Sequence, residues 1–526
     1  MKIVNVFCLV AMLSLFASAF GQVAINNNGD AADVSAMLDI QGTSGGLLVP
    51  RMTETDRDAL ISPATGLIIY QTDETAGFYF YSGSVWTKFI SGAISLNDLT
   101  DASTSGASVF IGGTAGTSNQ STGIDNTFVG YASGNYNTTG DYNTAVGKQS
   151  FHYNLVGNQN SALGYGALYK NKGDRNTGMG YQSLNQNVDG SYNSSLGAFS
   201  LFFTNGGSYN TSVGNQSLYT NVIGNNNTAI GFGALFTNLA SGNTAVGYQS
   251  SYSNTSGPYN SSFGYQAMYS NVINFYGTAI GYQALYNSTG NSNTATGYKA
   301  LFNNVAGQQN TAVGASVMNS NETGEGNVAI GFETLFFNSS GSNNTAVGKY
   351  AFYNGGSYTN STAIGYYTLI SASNQVRIGN SSVTSIGGEV GWTTVSDGRF
   401  KTNVQENIPG LNFILNLRPV SYQIDKIAFD NYIGVTNDAS DDSGEEIIQS
   451  GFIAQEVEQS ANDIGYKFSG VDAPKGDDDY YGLRYSEFVV PLVKGMQEQQ
   501  VMIEQQKQMI EKLMQEVKEL KLIIKR

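Results

Sequence analysis

The chain has 526 residues, a net charge of −15, 64 glycines against 7 prolines, one cysteine and one histidine. A lone histidine, His152, excludes Ser-His-Asp triads and multi-histidine metal sites, so no metal and no cofactor is expected. The acidic balance argues against nucleic acid and anionic membrane surfaces as partners.

Residues 1–21 have the plan of a cleaved signal peptide. Lys2 supplies the positive start, an apolar stretch follows, and small residues precede Gln22. The expected mature chain is secreted or displayed at the cell surface, without membrane insertion. It carries no disulfide and no thiolate, because Cys8 leaves with the signal.

Residues 22–97 form an N-terminal module with ordinary charge density. Thr53 with Asp56 three positions on predicts a short capped helix, and "GLIIY" and "GFYFY" predict strands. The module resembles the N-terminal parts of secreted fibre-like proteins. Residues 98–125 are a polar transition.

From 126 to 380 the chain repeats itself. The phrase Asn-Thr/Ser-Ala/Ser-Val/Ile-Gly recurs with its glycine at 130, 147, 164, 180, 197 and onward to 365, a spacing of 16 or 17 residues. A unit this short buries no core alone and must stack on its neighbours. Two short strands per repeat are expected, "TAVG" and "YQALY", joined by Asn/Gly turns. Residues 190–298 contain no Asp, Glu, Lys or Arg, a surface better suited to a tight homo-oligomer than to an isolated rod. The regular spacing of the tyrosines and phenylalanines points to core or inter-chain packing rather than to sugar stacking. In style of strand and turn the repeats resemble the heads of trimeric autotransporter adhesins, although the period here is longer. That resemblance implies a parallel β-roll assembled as a trimer.

The segment 487–526 is a helix with heptads. Met496, Ile503, Ile510, Val517 and Ile524 recur every seven residues, and Gln499, Gln506, Leu513 and Leu520 follow three positions later. The heptads leave the number of strands open, and an amphipathic helix packed on its own domain is the alternative. The acidic stretches at 430–446 and 475–482 lack EF-hand spacing and read as solvated loops.

Between the repeats and the helix, "SDGRFKTNV" (396–404) is followed by "LNFILNLRPVSYQ" (411–423), "GFIAQEVEQ" (451–459) and "YSEFVVPLVKGMQEQ" (485–499). Their order over 396–526 resembles the intramolecular chaperone of bacteriophage endosialidases and tail spikes, the S74 peptidases. The resemblance implies that the domain trimerises the preceding fibre and then cuts itself off. Ser396 is the implied nucleophile, Lys401 the general base, and Val395–Ser396 the bond cut. Asp397 and Arg399 take supporting roles. Phe400 stands where leucine is common, and "GMQEQ" departs from the usual sequence of the last motif.

The chemistry of the residues is compatible with those roles. With no usable histidine, a lysine is the available base for a serine hydroxyl. An extended chain would hold Ser396 and Lys401 about 17 Å apart, so a turn, for which Gly398 is the candidate, or a second chain is needed.

The fold class expected is mainly β: solenoid or β-roll repeats forming a trimeric fibre, with an α+β chaperone domain ending in a coiled coil. The expected function is a homotrimeric, adhesin-like fibre that matures by self-cleavage. Its partners are copies of itself and, beyond them, a cell-surface glycan or another cell. One alternative keeps the chaperone permanently attached. Another is a tail-spike-like glycan hydrolase, which needs paired carboxylates. The repeats offer Asp141, Asp174, Asp189, Glu322, Glu325 and Glu333, and none recurs as a close pair in adjacent units.

Overall fold

The computed structural model describes residues 21–89, 102–119, 122–354, 356–434, 447–476 and 479–525. The expected signal segment, save Gly21, lies outside the described residues, as do 435–446 of the acidic stretch. The chain divides into two compact units, Met1–Leu99 and Thr100–Arg526. Among the described residues no helix is long and apolar enough to cross a membrane.

In the first unit, Val23–Ile25 pairs in parallel with Leu38–Ile40. A four-stranded sheet orders Arg51–Met52, Ile68–Gln71, Gly77–Tyr81 and Trp86–Lys88 side by side. The helix Glu54–Asp58 starts as its sequence predicts, with the Thr53 hydroxyl accepting from the Asp56 N–H at 3.2 Å. Arg57 on that helix is buried over the Tyr79 ring, donates to Gln71 and is paired with Glu54 and Asp58. Val34, Met37, Leu48 and Ile61, by contrast, stand in solvent.

The second unit opens with the hairpin Ala102–Ser105 and Ser108–Ile111 and continues as one parallel ladder to Val376–Ile378. Each strand pairs with the same position of the next coil, as in Thr144↔Ser161 and Ala145↔Ala162. Among the described residues the terminal strand Val376–Ile378 pairs with Thr362–Ile364 and not with the first strand, so the ladder is an open solenoid. The ladder already includes residues read from sequence as a transition, since Ser108–Ile111 pairs with Thr127–Val129.

One strand per coil is found where two were expected. "TAV" and its variants are strands, but "YQALY" and its variants are runs of turns in which alternate residues take left-handed φ, as in "NQSLY" (215–219): +57° at Gln216 and +49° at Leu218. That alternation sends successive N–H groups in opposite directions. Gln216 N donates to Ala198 O of the coil before, and Leu218 N to Ala234 O of the coil after. The segment is thereby bonded on both sides without strand geometry.

Three internal devices hold the coils. The central alanines of the strands and the leucines of the turn run are fully buried, as at Ala245 and Leu235. Two ladders of buried asparagines bond each coil to the next. Asn193 donates its N–H to Asn176 Oδ1 (3.0 Å), accepts at Oδ1 from Asn210 N (3.0 Å) and donates Nδ2 to Gly207 O (2.8 Å). In the second ladder Asn154 Nδ2 donates to Asn137 Oδ1, and Asn171 Nδ2 to Asn154 Oδ1. The recurrent glycine is obligatory for steric reasons. At Gly264 φ is +140°, and a Cβ there would lie 2.3 Å from Gly281 O.

Candidate functional site

The stretch Val395–Lys401 leaves the rod as open chain and turns once. Asp397 caps a 3₁₀ turn over Gly398–Phe400, accepting from Arg399 N at 2.9 Å. The same carboxylate holds the Arg399 guanidinium, with Nη2 2.6 Å from Oδ2, and that hydrogen bond keeps the Asp397 pKa below its ordinary value. Lys401 N closes the turn onto Gly398 O. The turn brings Lys401 Nζ to 2.8 Å from Ser396 Oγ within one chain. Gly398 does not use the left-handed freedom expected of it: its φ is not positive, and a Cβ there would meet nothing. Arg399 faces Asp397, so its charge is already matched and is not free to act on the lysine.

Ser396 and Lys401 are both solvent-exposed, and apolar residues around them are exposed too. Trp392 is 89%, Val395 83%, Phe400 74% and Val404 77% exposed. A dyad set among uncovered apolar side chains lies on a surface that one chain leaves unfinished.

The other motif residues build the domain that carries this turn. Phe413 on the short helix Leu411–Ile414 is fully buried beside Val457 and Ala461 of the helix Ala454–Asp463, with Phe488 completing the core. Rings of Tyr466 and Phe468 pack edgewise or tilted on Phe413, and Phe452 stacks on Phe488 at 5.3 Å. Arg418 of "LRPV" forms two hydrogen bonds with Glu456 of "AQEV", Nε to Oε2 being 3.0 Å, which joins the two motifs. Val420–Tyr422 pairs antiparallel with Gln449–Gly451.

The terminal helix runs Val489–Ile524. Its first turns belong to the domain: Pro491 and Gly495 are buried, and Glu498 Oε2 accepts from Leu411 N at 2.7 Å. Beyond that the heptad residues Met496, Ile503, Ile510, Leu513, Val517, Leu520 and Ile524 are all exposed. Packing on its own domain therefore accounts for the start of the helix and not for its stripe.

Sequence reasoning missed one contact. The stretch 475–482, read as a solvated loop, carries Asp479, which is 4% exposed. Its Oδ1 accepts from Ser371 Oγ (2.5 Å) and Gln375 Nε2 (3.3 Å) of the last coil, and its Oδ2 from Lys475 N (3.1 Å). Tyr432 donates to the Asp479 carbonyl, and the neighbouring Tyr480 packs on Phe429 and under Arg377. The stretch 430–446 also differs from a plain loop at its start, because Lys426–Tyr432 is helical. No sequence signal distinguished Asp479 from the two aspartates before it.

Comparison with known families gives two matches. Residues 396–466 match the family model described as chaperone of endosialidase, the S74 peptidases. Residues 24–106 match the phage tail like trimerisation region. No curated protein matches the chain.

Proposed function

We propose that this chain, whose C-terminal domain is a chaperone of endosialidase, is an exported fibre subunit that assembles as a homotrimer and then cuts its own Val395–Ser396 bond. The observation that carries the cleavage is the 2.8 Å approach of Lys401 Nζ to Ser396 Oγ. The exposed heptad stripe and the exposed apolar residues of the N-terminal unit support assembly.

In this reading Ser396 Oγ attacks the carbonyl carbon of Val395, one residue back. Lys401, as the free amine, takes the hydroxyl proton and passes it to the departing backbone nitrogen. The peptide becomes an ester between Val395 and the Ser396 oxygen. Water then hydrolyses it, leaving a carboxylate on Val395 and a free amino group on Ser396. Attack through a five-membered ring gives the proximity that such a reaction needs. An ammonium accepts no proton, so the site has to be withdrawn from water first. Covering Trp392, Val395 and Phe400 with neighbouring chains does that and ties the cut to assembly.

The test is expression from Gln22 followed by mass measurement under denaturing conditions. Wild type is expected to yield a fragment beginning at Ser396, and Ser396→Ala a single uncut chain. An uncut wild-type trimer would remove the cleavage and leave the second reading, a permanently attached chaperone. The Asp479 contact with the last coil favours that reading, because it ties domain and rod together. A glycan-hydrolase role has less support. Asp141 Oδ1 accepts from Ile124 N, and Asp174 Oδ1 from Asn158 N, so both carboxylates hold turns between coils.

A further inference from the structure

We infer that the outer face of the strand ladder, and not the face carrying the second aromatic column, is where the three rods meet. The inference rests on the trimer proposed above and identifies which surface of the rod forms it.

Along each strand the middle residue points inward and its neighbours outward, as in Thr278–Ala279–Ile280. The third strand position is therefore a column on the surface. It is apolar in every coil from Val129 to Ile364 except at Thr296. Leu163, Leu196, Ile230 and Ile280 are 40–51% exposed. Two residues on, beyond the glycine, runs a second exposed column, aromatic in ten of the fifteen coils from Tyr131 to Tyr366. Phe232, Tyr248, Tyr265, Tyr282 and Tyr298 stack in succession at 5.1–5.4 Å with nearly parallel planes, and each is 42–50% exposed.

Three properties mark this face for a second copy of the chain. First, it carries little charge: of the residues following the glycines at 130–365 only Lys148 and Lys349 are ionic, Lys299 Nζ lies over the Tyr298 ring, and Asp141, Asp174, Asp189, Glu322 and Glu325 lie between the strands. Second, it is large. About twenty side chains, each leaving some 40% of roughly 150–250 Å² uncovered, sum to on the order of 1,500 Å² per chain. A stable interface buries about 800 Å² per partner. Third, stacking already fixes the rings, so association costs them little rotamer freedom. The other aromatic column, Phe236, Tyr252, Tyr269 and Tyr286 among its members, is also stacked, but its rings are only partly exposed and leave less to cover. The same chain presents a second uncovered apolar stripe on its terminal helix, so the rod face continues a need for copies that begins there.

The chain from Gln22 onward has no cysteine, which makes thiol labelling a direct probe. In a Ser396→Ala background, which keeps the chain one length, Ile280→Cys and Val246→Cys are compared with Ile223→Cys, an exposed turn position. Maleimide labelling at 280 and 246 is expected to be at least tenfold slower than at 223 in the assembled protein. The pair Ile230→Glu with Ile280→Glu is expected to lose the three-chain mass, whereas Ile223→Glu keeps it. Equal labelling rates, or a double-glutamate protein that still has the mass of three chains, would overturn the face while leaving the trimer. A single-chain mass for the parent would overturn the trimer itself and the face with it.

Discussion

The Ser371 hydroxyl on the last coil donates to the carboxylate of Asp479 at 2.5 Å, across 108 residues of chain. That bond, with Gln375 Nε2 on the same oxygen, seats the chaperone domain on the end of the ladder. An open ladder end presents unpaired groups; the seat supplies an acceptor to Ser371 and Gln375, while Val376 of the last strand stays 67% exposed. Asp479→Ala leaves Ser371 and Gln375 buried without their acceptor, and the expected cost is about 1–3 kcal/mol. Hydrogen exchange over residues 362–378 should then quicken, while the coils near 200 are unaffected.

The pH dependence of that seat has a definite sign. Burial raises the Asp479 pKa, but the hydrogen bonds from Ser371, Lys475 N, Tyr480 N and Gln375 together outweigh it and hold the value below 3.8. A carboxylate with a depressed folded pKa contributes fully above its ordinary value and loses that contribution as pH falls through the folded one. Protection of residues 362–378 is expected to hold at neutral pH and to fall only in acid below about pH 4. Asp479→Asn should show the weaker protection at every pH, with the acid-dependent part gone.

Lys401 and Asp397 are expected to fail differently. Lys401→Met removes the proposed base and should leave the chains uncut while the assembled fibre still contains three of them. Asp397→Asn keeps the capping oxygen but loses the ion pair with Arg399, so the turn is looser and cleavage slower rather than absent. Time courses of fragment release, read by mass, separate the two. Full-speed cleavage in Lys401→Met would end its role as base.

The asparagine ladders give a prediction of opposite signs at two positions. Asn193→Ala strips the buried N–H of Asn210 and the carbonyl of Gly207 of their partners, an expected loss of about 2–4 kcal/mol. Thr204 interrupts the second ladder, and Asn187 Oδ1 is buried there without a donor. Thr204→Asn restores the donor and is expected to stabilise by about 1 kcal/mol. Denaturant unfolding of the full chain, compared with wild type, measures both.

The glycine period displayed the solenoid openly in the sequence, because only glycine fits where one coil's backbone lies against the next, as at Gly264 under Gly281. The heptads from Met496 to Ile524 showed the terminal helix, and the Thr53 cap and the strands around Ile68 and Tyr79 were equally visible, since all are local patterns. "YQALY" was misread because its apolar spacing fits a strand, whereas its conformation is set by bonds to two neighbouring coils. The motif singled out Ser396 and Lys401, and the turn that brings them to 2.8 Å depends on the Asp397 cap rather than on Gly398. Asp479 was illegible because its partners lie over 100 residues away and nothing local sets it apart.

Two glycines that meet where the chaperone core touches the terminal helix should respond unequally to the same change. A Cβ on Gly410 would lie 2.6 Å from Gly495 N and from Glu498 Oε2, so Gly410→Ala forces the helix Leu411–Ile414 off its seat and disturbs the Leu411–Glu498 hydrogen bond. The expected cost is about 1–3 kcal/mol. A Cβ on Gly495 meets nothing closer than 3.5 Å, so Gly495→Ala fits and gains helix propensity, up to about 1 kcal/mol. Thermal unfolding followed by the near-ultraviolet signal of the Phe413–Tyr466–Phe488 cluster should move down for the first variant and stay or rise for the second. If both fell equally, the close approach would be on the helix side of the contact, and the seating of Leu411 by Glu498 would not be what fixes the helix to the domain.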